Sequence, residues 1–366
     1  MDVSAAEQRA MRRALHLAAT PGVPLGPNPR VGCVLLDADG TEIAEGFHRG
    51  AGTPHAEVAA LTALAEAGGS ARGATAVVTL EPCDHTGRTG PCSRALLAAG
   101  VRRVVLAQPD PNPVASGGAE TLRAAGVEVV AGLLEEESRA LNRAWTFALE
   151  HGRPFVTWKL ATTLDGRSAA ADGTSRWITS RAARLDVHRL RGQCDVVLVG
   201  TGTVEADDPQ LTVRDEVDEP VPHQPLRAVM GERATGPDRR VLDDAAETVL
   251  LRTRDPHEAL RQLHDLGRRH VFLEGGPTLA AAFLGAGLVD EVVAYVAPVL
   301  LGAGASAVGD LGISTIAAAL RLRLVEATTI STRTGDADVR LTLVPRRSSD
   351  QTDQTDRTDP TEREGH

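Results

Sequence analysis

Residues 74–107 read ATAVVTLEPCDHTGRTGPCSRALLAAGVRRVVLA, and this stretch decides the fold class. Ala74 to Leu80 is a β-branched apolar run of strand length. Ser93 to Ala99 is a helical run closed by Gly100, and Arg103 to Ala107 is a second strand. Strand, helix and strand in succession are the repeating unit of an α/β layer. Working outward, Val31 to Leu36 and Glu42 to Phe47 flank Asp39-Gly40, a hairpin signal. His55 to Ala67 is a helix closed by Gly68, and Val127 to Ala131 is a further strand. The expectation is a five-strand sheet with helices, occupying residues 1–148.

Near Leu149 to Pro154 the pattern restarts, with a helical run before it and a strand, Phe155 to Ala161, after it. Beyond lie Arg181 to Arg191 and His257 to Leu266 as helices. Val196 to Gly200, Leu226 to Met230, Thr248 to Arg252, His270 to Glu274 and Val292 to Val296 are strands. Leu322 to Thr332 and Asp338 to Val344 pair as a hairpin around Gly335. This predicts a second α/β domain over residues 152–345. Residues 346–366 hold no Val, Ile, Leu, Met or aromatic side chain. Such a polar tail cannot bury enough surface to order itself and is expected to be disordered.

Length and composition agree with two domains: 366 residues, 42% apolar and 24% charged, bury two ordinary cores. No uncharged apolar run approaches the ~18 residues of a membrane span, and the N-terminus lacks a signal-peptide block, so a cytoplasmic protein is expected. A formal net charge of −10 with 2% aromatic residues opposes nucleic-acid binding and leaves room for a small anionic substrate. Four cysteines in so long a chain make no disulfide scaffold. Of the 39 basic residues all but Lys159 are arginine. Arginine is a planar fork that never loses its proton, whereas lysine is a compact donor, so the one survivor marks a place where the exchange fails, unless it persists by chance.

The first chemical constellation is His55-Ala56-Glu57, then Pro82-Cys83, then Cys92. One His and two Cys are zinc-type ligands, and three protein ligands leave the fourth tetrahedral position open, which is the catalytic arrangement. His55 and Cys92 each follow a proline at the start of a helix. Glu57 stands where a proton shuttle is needed that does not bind the metal. The zinc-deaminase signature H-x-E…P-C-x-x-C distributes these same roles. Here eight residues, Asp84 to Pro91, separate the cysteines, a polar Gly-rich insertion suited to contacting a substrate. Cys33, within an apolar strand, reads as a core thiol.

With Pro27-Asn28-Pro29-Arg30-Val31-Gly32, His55-Ala56-Glu57, Thr79 to Thr89 and Asp110-Pro111-Asn112-Pro113, the chain resembles the bifunctional riboflavin-biosynthesis deaminase/reductases. In that family the long cysteine spacing is the rule. The resemblance implies a cytidine-deaminase-like α/β/α domain followed by a dihydrofolate-reductase-like α/β domain. It implies zinc-dependent deamination of a diaminopyrimidinone carrying a ribose 5-phosphate, then NADPH-dependent reduction of the ribosyl side chain to ribityl. It also implies a homo-oligomer. Asn28 and His85 are substrate candidates by resemblance, set against an Asn in a turn between prolines and an exposed loop His. Gly90 departs from a common proline, and the stretch between Pro113 and Gly117-Gly118 is shortened.

The resemblance continues through Trp158 to Arg167, Ser175 to Ser180, Arg184 to Arg191, Gly200 to Val204, Ala206 to Arg214, Glu274 to Thr278 and Val296 to Pro298. Lys159 then takes the role of donor at the reduced carbonyl. Arg191 and Arg214 would grip the 5-phosphate, with Ser175, Leu211 and Glu274 as further substrate contacts. Ala161, Trp177, Thr203 and Asp207 match cofactor-contacting positions, Trp177 being equally readable as core. Gly275-Gly276-Pro277-Thr278 follows a strand and opens a helix, so free backbone N–H groups face an anion, with tight packing as the bland alternative. No G-x-G-x-x-G follows a strand, which argues against an ordinary Rossmann site. Glu232 replaces a common serine near the cofactor and Val299 a common lysine, so a deaminase with an inactive reductase-like domain stands as the other reading.

Overall fold

The computed structural model describes residues 3–23, 26–86, 90–331 and 337–346. The predicted turn at Gly335, Gly87 to Thr89 between the cysteines, and all of the polar tail beyond Arg346 lie outside them. The first half runs α1 (Ala5–Ala18), β1 (Gly32–Leu36), β2 (Glu42–Phe47), α2 (Ala56–Glu66), β3 (Thr75–Leu80), α3 (Cys92–Ala98), β4 (Arg103–Gln108), α4 (Gly118–Ala124), β5 (Glu128–Ala131), α5 (Glu135–Leu141) and α6 (Arg143–His151). The sheet order is β2-β1-β3-β4-β5, with β1 antiparallel to both neighbours and the rest parallel.

Strand alternation builds three layers. Cys33, Leu35, Ala76, Val78, Val104 and Leu106 face α2, α3 and α4. Val34, Leu36, Val77, Val105 and Ala107 face Met11, Ala14 and Leu17 of α1. Both sheet faces are therefore buried, which is why β1 and β3 read as unbroken apolar runs. α1 was not among the predicted elements. Ser4 and Glu7 form a reciprocal capping box at its start.

Gly152, left-handed at φ 65°, ends α6, and the second half follows: β6 (Phe155–Thr163), α7 (Arg181–Arg191), β7 (Val196–Gly200), α8 (Thr201–Asp207), β8 (Leu226–Met230), β9 (Thr248–Leu251), α9 (Pro256–Asp265), β10 (His270–Leu273), α10 (Pro277–Gly285), β11 (Glu291–Ala297), β12 (Leu322–Ser331) and β13 (Ala337–Pro345). The sheet order is β12-β13-β11-β6-β10-β7-β8-β9, parallel from β11 to β9, with the β12–β13 hairpin antiparallel on its edge. α9 and α10 cover one face, while α7 and α8 cover the other. Both halves are α/β, as expected. β10 returns between β6 and β7, which brings the end of β10 beside the middle of β6.

Candidate active sites

In the first half, two helix starts and the loop after one strand converge. His55 is the residue before α2, Cys83 follows β3, and Cys92 opens α3 after Pro91. Their ligand atoms all lie within 4.8 Å of one another, with His55 Nδ1 at 3.5 Å from Cys83 Sγ and 3.3 Å from Cys92 Sγ. Among the described residues this is the His/Cys/acid cluster placed to hold a metal ion. A soft thiolate pair plus one imidazole fits zinc with a position left open. The hydrogen bond from the Cys92 thiol, with further help from His55, pulls the Cys83 thiol down to about 4, while sharing with Cys83 and burial push the Cys92 thiol up.

Glu57 sits in the first turn of α2, buried beside the cluster, and burial raises its carboxyl to about 7. Cluster and carboxylate open on one cavity of about 410 Å³, also lined by Asn28, His48, His85, Asp110 and Trp145. That is room for a pyrimidine ring with part of its substituent. Asn28 Nδ2 donates to His48 Nε2 at 3.0 Å, and His48 Nδ1 donates to the Pro54 carbonyl at 3.1 Å, so this relay fixes the orientation of the Asn28 amide. His85 is no freely exposed loop residue: its Nδ1 is buried at the cavity wall with no hydrogen-bond partner among the described residues.

The frame around the ligands is stapled. Glu81 accepts from the backbone N–H groups of Asp110, Gly117 and Ala119 at 3.1, 3.1 and 2.9 Å. Asp84 accepts from the hydroxyls of Ser93 and Thr121, tying the residues after Cys83 and Cys92 to α4. Gly118 is forced by close approach, since a Cβ there would lie 1.7 Å from the Pro82 carbonyl oxygen. Sequence reasoning missed His48, Glu81 and Trp145. Glu81 lies beside the Pro82-Cys83 signal, but His48 and Trp145 carry no local mark.

In the second half Lys159, in the middle of β6, meets Glu274, the residue after β10, at 3.3 Å. Arg191 at the end of α7 forks onto the same carboxylate through Nε and Nη2 and donates to the Thr212 carbonyl at 2.9 Å. Burial opposes the Glu274 charge, yet Arg191 and Lys159 together hold its carboxyl down at about 2. Arg191 is thus committed to Glu274, and the predicted phosphate grip would have to share it. Arg214 is committed as well, to Thr212 Oγ1, the Asp218 carbonyl and Gln210 Oε1, with its backbone N–H donating to His188. Leu211 between them is buried at φ 60°, a conformation that persists only where the surroundings impose it. Ser175 lies half-buried in the loop before α7.

Of the predicted cofactor residues, Thr203 and Asp207 follow β7 in α8 and Gly275 to Thr278 follow β10, at the carboxyl ends of parallel strands, the usual ligand edge of such sheets, whereas Trp177 lies in the loop before α7. Gly276 precedes α10, and a Cβ on it would meet Thr203 Oγ1 at 3.8 Å, an ordinary contact, so this turn lies beside α8. Gly275 is explained by packing, because its Cβ would strike Leu279 at 2.5 Å. Pro277 and Thr278 form the first turn of α10, and Ala161 lies in β6 opposite Tyr295. The Asp207 carbonyl accepts from Arg176 at 2.7 Å. Trp177 is 69% exposed, with the Arg184 guanidinium 4.2 Å from its ring centroid, which removes the core reading. Glu232 pairs with Arg254 at 3.3 Å, so its charge is offset. Val299 is exposed, and its carbonyl accepts from Leu164 N–H at 2.9 Å.

A His-Cys-Cys cluster suited to zinc beside a buried glutamate, and a Lys–Glu–Arg triad on a mainly parallel sheet, define a two-site enzyme, half deaminase and half reductase. The family description "Cytidine and deoxycytidylate deaminase zinc-binding region" matches residues 4–108, and "RibD C-terminal domain" matches residues 154–334. Riboflavin biosynthesis protein RibD of Mycobacterium tuberculosis is 53% identical over 81% of this chain and 86% of the relative. That of Escherichia coli is 43% identical over 86% and 94%. The crystal structure of the Thermotoga maritima diaminohydroxyphosphoribosylaminopyrimidine deaminase/5-amino-6-(5-phosphoribosylamino)uracil reductase superposes with a TM-score of 0.84 at 33% identity, covering 93% of this chain and 99% of the other. Acinetobacter baumannii RibD gives 0.85 at 39% identity, with the same coverage. The chain belongs to the RibD family of bifunctional riboflavin-biosynthesis enzymes.

Proposed function

We propose that this chain acts twice on one pyrimidine ribosyl phosphate. The first half deaminates the diaminopyrimidinone ring by hydrolysis, and the second reduces the ribosyl side chain of the product to a ribityl chain. The observation that carries the reading is that the zinc-type cluster and buried Glu57 open on one cavity.

His55, Cys83 and Cys92 hold the zinc ion, which when bound supplies the Lewis acidity that makes water a nucleophile at neutral pH. Glu57 takes the proton of the attacking water on its carboxylate and delivers it to the departing ring amine. Asn28, oriented by His48, and His85 line the cavity where the ring binds. In the second half Gly276, Thr203, Thr278, Ala161, Trp177 and Asp207 would hold NADPH, which when bound supplies the hydride. Lys159 Nζ protonates the carbonyl oxygen of the open-chain ribose, Glu274 holds that ammonium in place, and Arg191 and Arg214 share with the phosphate the guanidinium groups that already bond Glu274, Thr212, Gln210 and Asp218.

No helix among the described residues is long and apolar enough to cross a membrane. The reading places the enzyme in the cytoplasm as a homo-oligomer. Exposed Leu300, Ile316, Leu324, Val325 and Val339 of the second half support self-association.

The test gives purified protein the diaminopyrimidinone ribosyl phosphate and follows ammonia, NADPH absorbance and zinc content on one sample. Both signals are expected. Ammonia without NADPH oxidation, even with the deaminated intermediate supplied, would leave a deaminase alone, and neither signal from zinc-loaded protein would overturn the substrate.

A further inference from the structure

The zinc-binding region ends its family match at residue 108, yet the deaminase cavity is closed by a residue well beyond it. Trp145, in the first turn of α6, lines that cavity on one side and the cleft between the two halves on the other. Asn142, the residue before α6, is buried and makes a two-point clamp. Its Oδ1 accepts from Arg30 N–H at 2.8 Å, and its Nδ2 donates to the Arg30 carbonyl at 2.9 Å. A side-chain amide here does what a neighbouring strand would do for that stretch of backbone. Two residues before Arg30 is Asn28, whose amide faces His48 at the cavity wall.

α6 is held at both ends of its reach. Toward the first half, Thr146 Oγ1 accepts from Gln108 Nε2 at 3.3 Å, at the end of β4. Toward the second, Arg143 forks onto Glu291 at 2.5 and 2.7 Å, and Arg153, just past the helix, forks onto Asp290 at 2.8 Å through both nitrogens. Glu291 in turn accepts from Thr157 Oγ1 at 3.0 Å, and Asp290 from Val156 N–H at 2.9 Å, both in β6. The helix that walls the first site is thereby anchored in the sheet of the second.

We propose that α6 is a working part of the deaminase site, in which Asn142 positions the Asn28 loop and Trp145 closes the cavity against the pyrimidine ring. Substrate affinity in the first reaction is then set from the junction between the halves. Asn142 is a positioning residue, acting through Arg30. The proposal rests on the deaminase reading above.

The experiment uses the full chain loaded with zinc and measures KM and kcat for ammonia release from the diaminopyrimidinone ribosyl phosphate. Asn142→Ala removes both clamp bonds and should raise KM about tenfold while leaving kcat within about twofold. Zinc stoichiometry and NADPH oxidation with supplied deaminated intermediate should match wild type. Trp145→Ala should raise KM in the same way and Trp145→Phe should restore it, a pair that serves even if Asn142→Ala does not fold. Unchanged KM in both alanine variants, or a joint fall of kcat, zinc content and melting temperature without a KM change, overturns the proposal. Wild-type protein releasing no ammonia overturns the deaminase reading and the proposal together, whereas normal wild-type release with variant KM values equal to it overturns the proposal alone.

Discussion

Each site turns on one residue whose chemistry its neighbours cannot supply. Glu57→Gln keeps the shape of the buried side chain but removes the proton carrier, so ammonia release should fall by about 10²–10⁴-fold. Zinc content and reduction of supplied intermediate should persist, and retained ammonia release would take Glu57 out of its role. At Lys159 the slot beside Glu274 already admits one guanidinium, that of Arg191. Lys159→Arg should therefore lower reductive turnover while sparing deamination, and equal NADPH oxidation rates would return the lone lysine to chance. Glu274 carries a pH signature. Its carboxyl is held at about 2, against an ordinary 4.5, so between those values the unfolded chain binds the proton that the folded one refuses. The triad's stabilisation is complete above about pH 4.5 and is lost as pH falls toward 2. Acid unfolding followed by circular dichroism should be steeper for wild type than for Glu274→Gln over that window. Equal slopes would refute the charge pairing.

At the scale of elements, what was legible follows from length and layer. β7, β8 and α7 have the bounds read from their patterns, because short apolar runs buried on both faces, and a helix with an apolar stripe, stand out from polar loops. α4, α5 and α8, of seven residues each, give under two turns of periodicity and were missed, whereas the equally short α3 is marked by Leu96-Leu97 ahead of Gly100. α1 hides its buried face in alanines, although Ser4-x-x-Glu7 is a start signal open to reading. His55, Cys83 and Cys92, which the structure brings together, and Glu57 were singled out by residue type and the H-x-E…P-C signature despite the long cysteine spacing. Asn142 was not, because its partner Arg30 lies 112 residues away. The Gly118 approach likewise depends on packing. Gly118→Ala would drive a Cβ into the Pro82 carbonyl beside Cys83, costing about 1–3 kcal/mol of stability. We expect a lower melting temperature and weaker zinc retention against a chelator, and wild-type values for both would show that the loop yields freely.

Across the whole molecule the two sheets meet through α6 and its ion pairs. Arg143→Met deletes the ion-pair partner of Glu291, whose carboxylate stays buried with Thr157 as its remaining hydrogen-bond partner among the described residues. The loss should be about 1–3 kcal/mol and should fall on the junction rather than on either core. Scanning calorimetry should then resolve two transitions, or a broader one, where the wild type unfolds more cooperatively. A uniform downward shift without broadening would mean that the pair only adds stability. The solitary lysine has a further use at this scale. An amine-directed reagent has one side-chain target in the entire chain, and that target sits against Glu274 in the reductase site. Reductive methylation with labelled formaldehyde would place a single side-chain resonance there, giving this enzyme a built-in reporter of which protonation state and which ligand the second site holds.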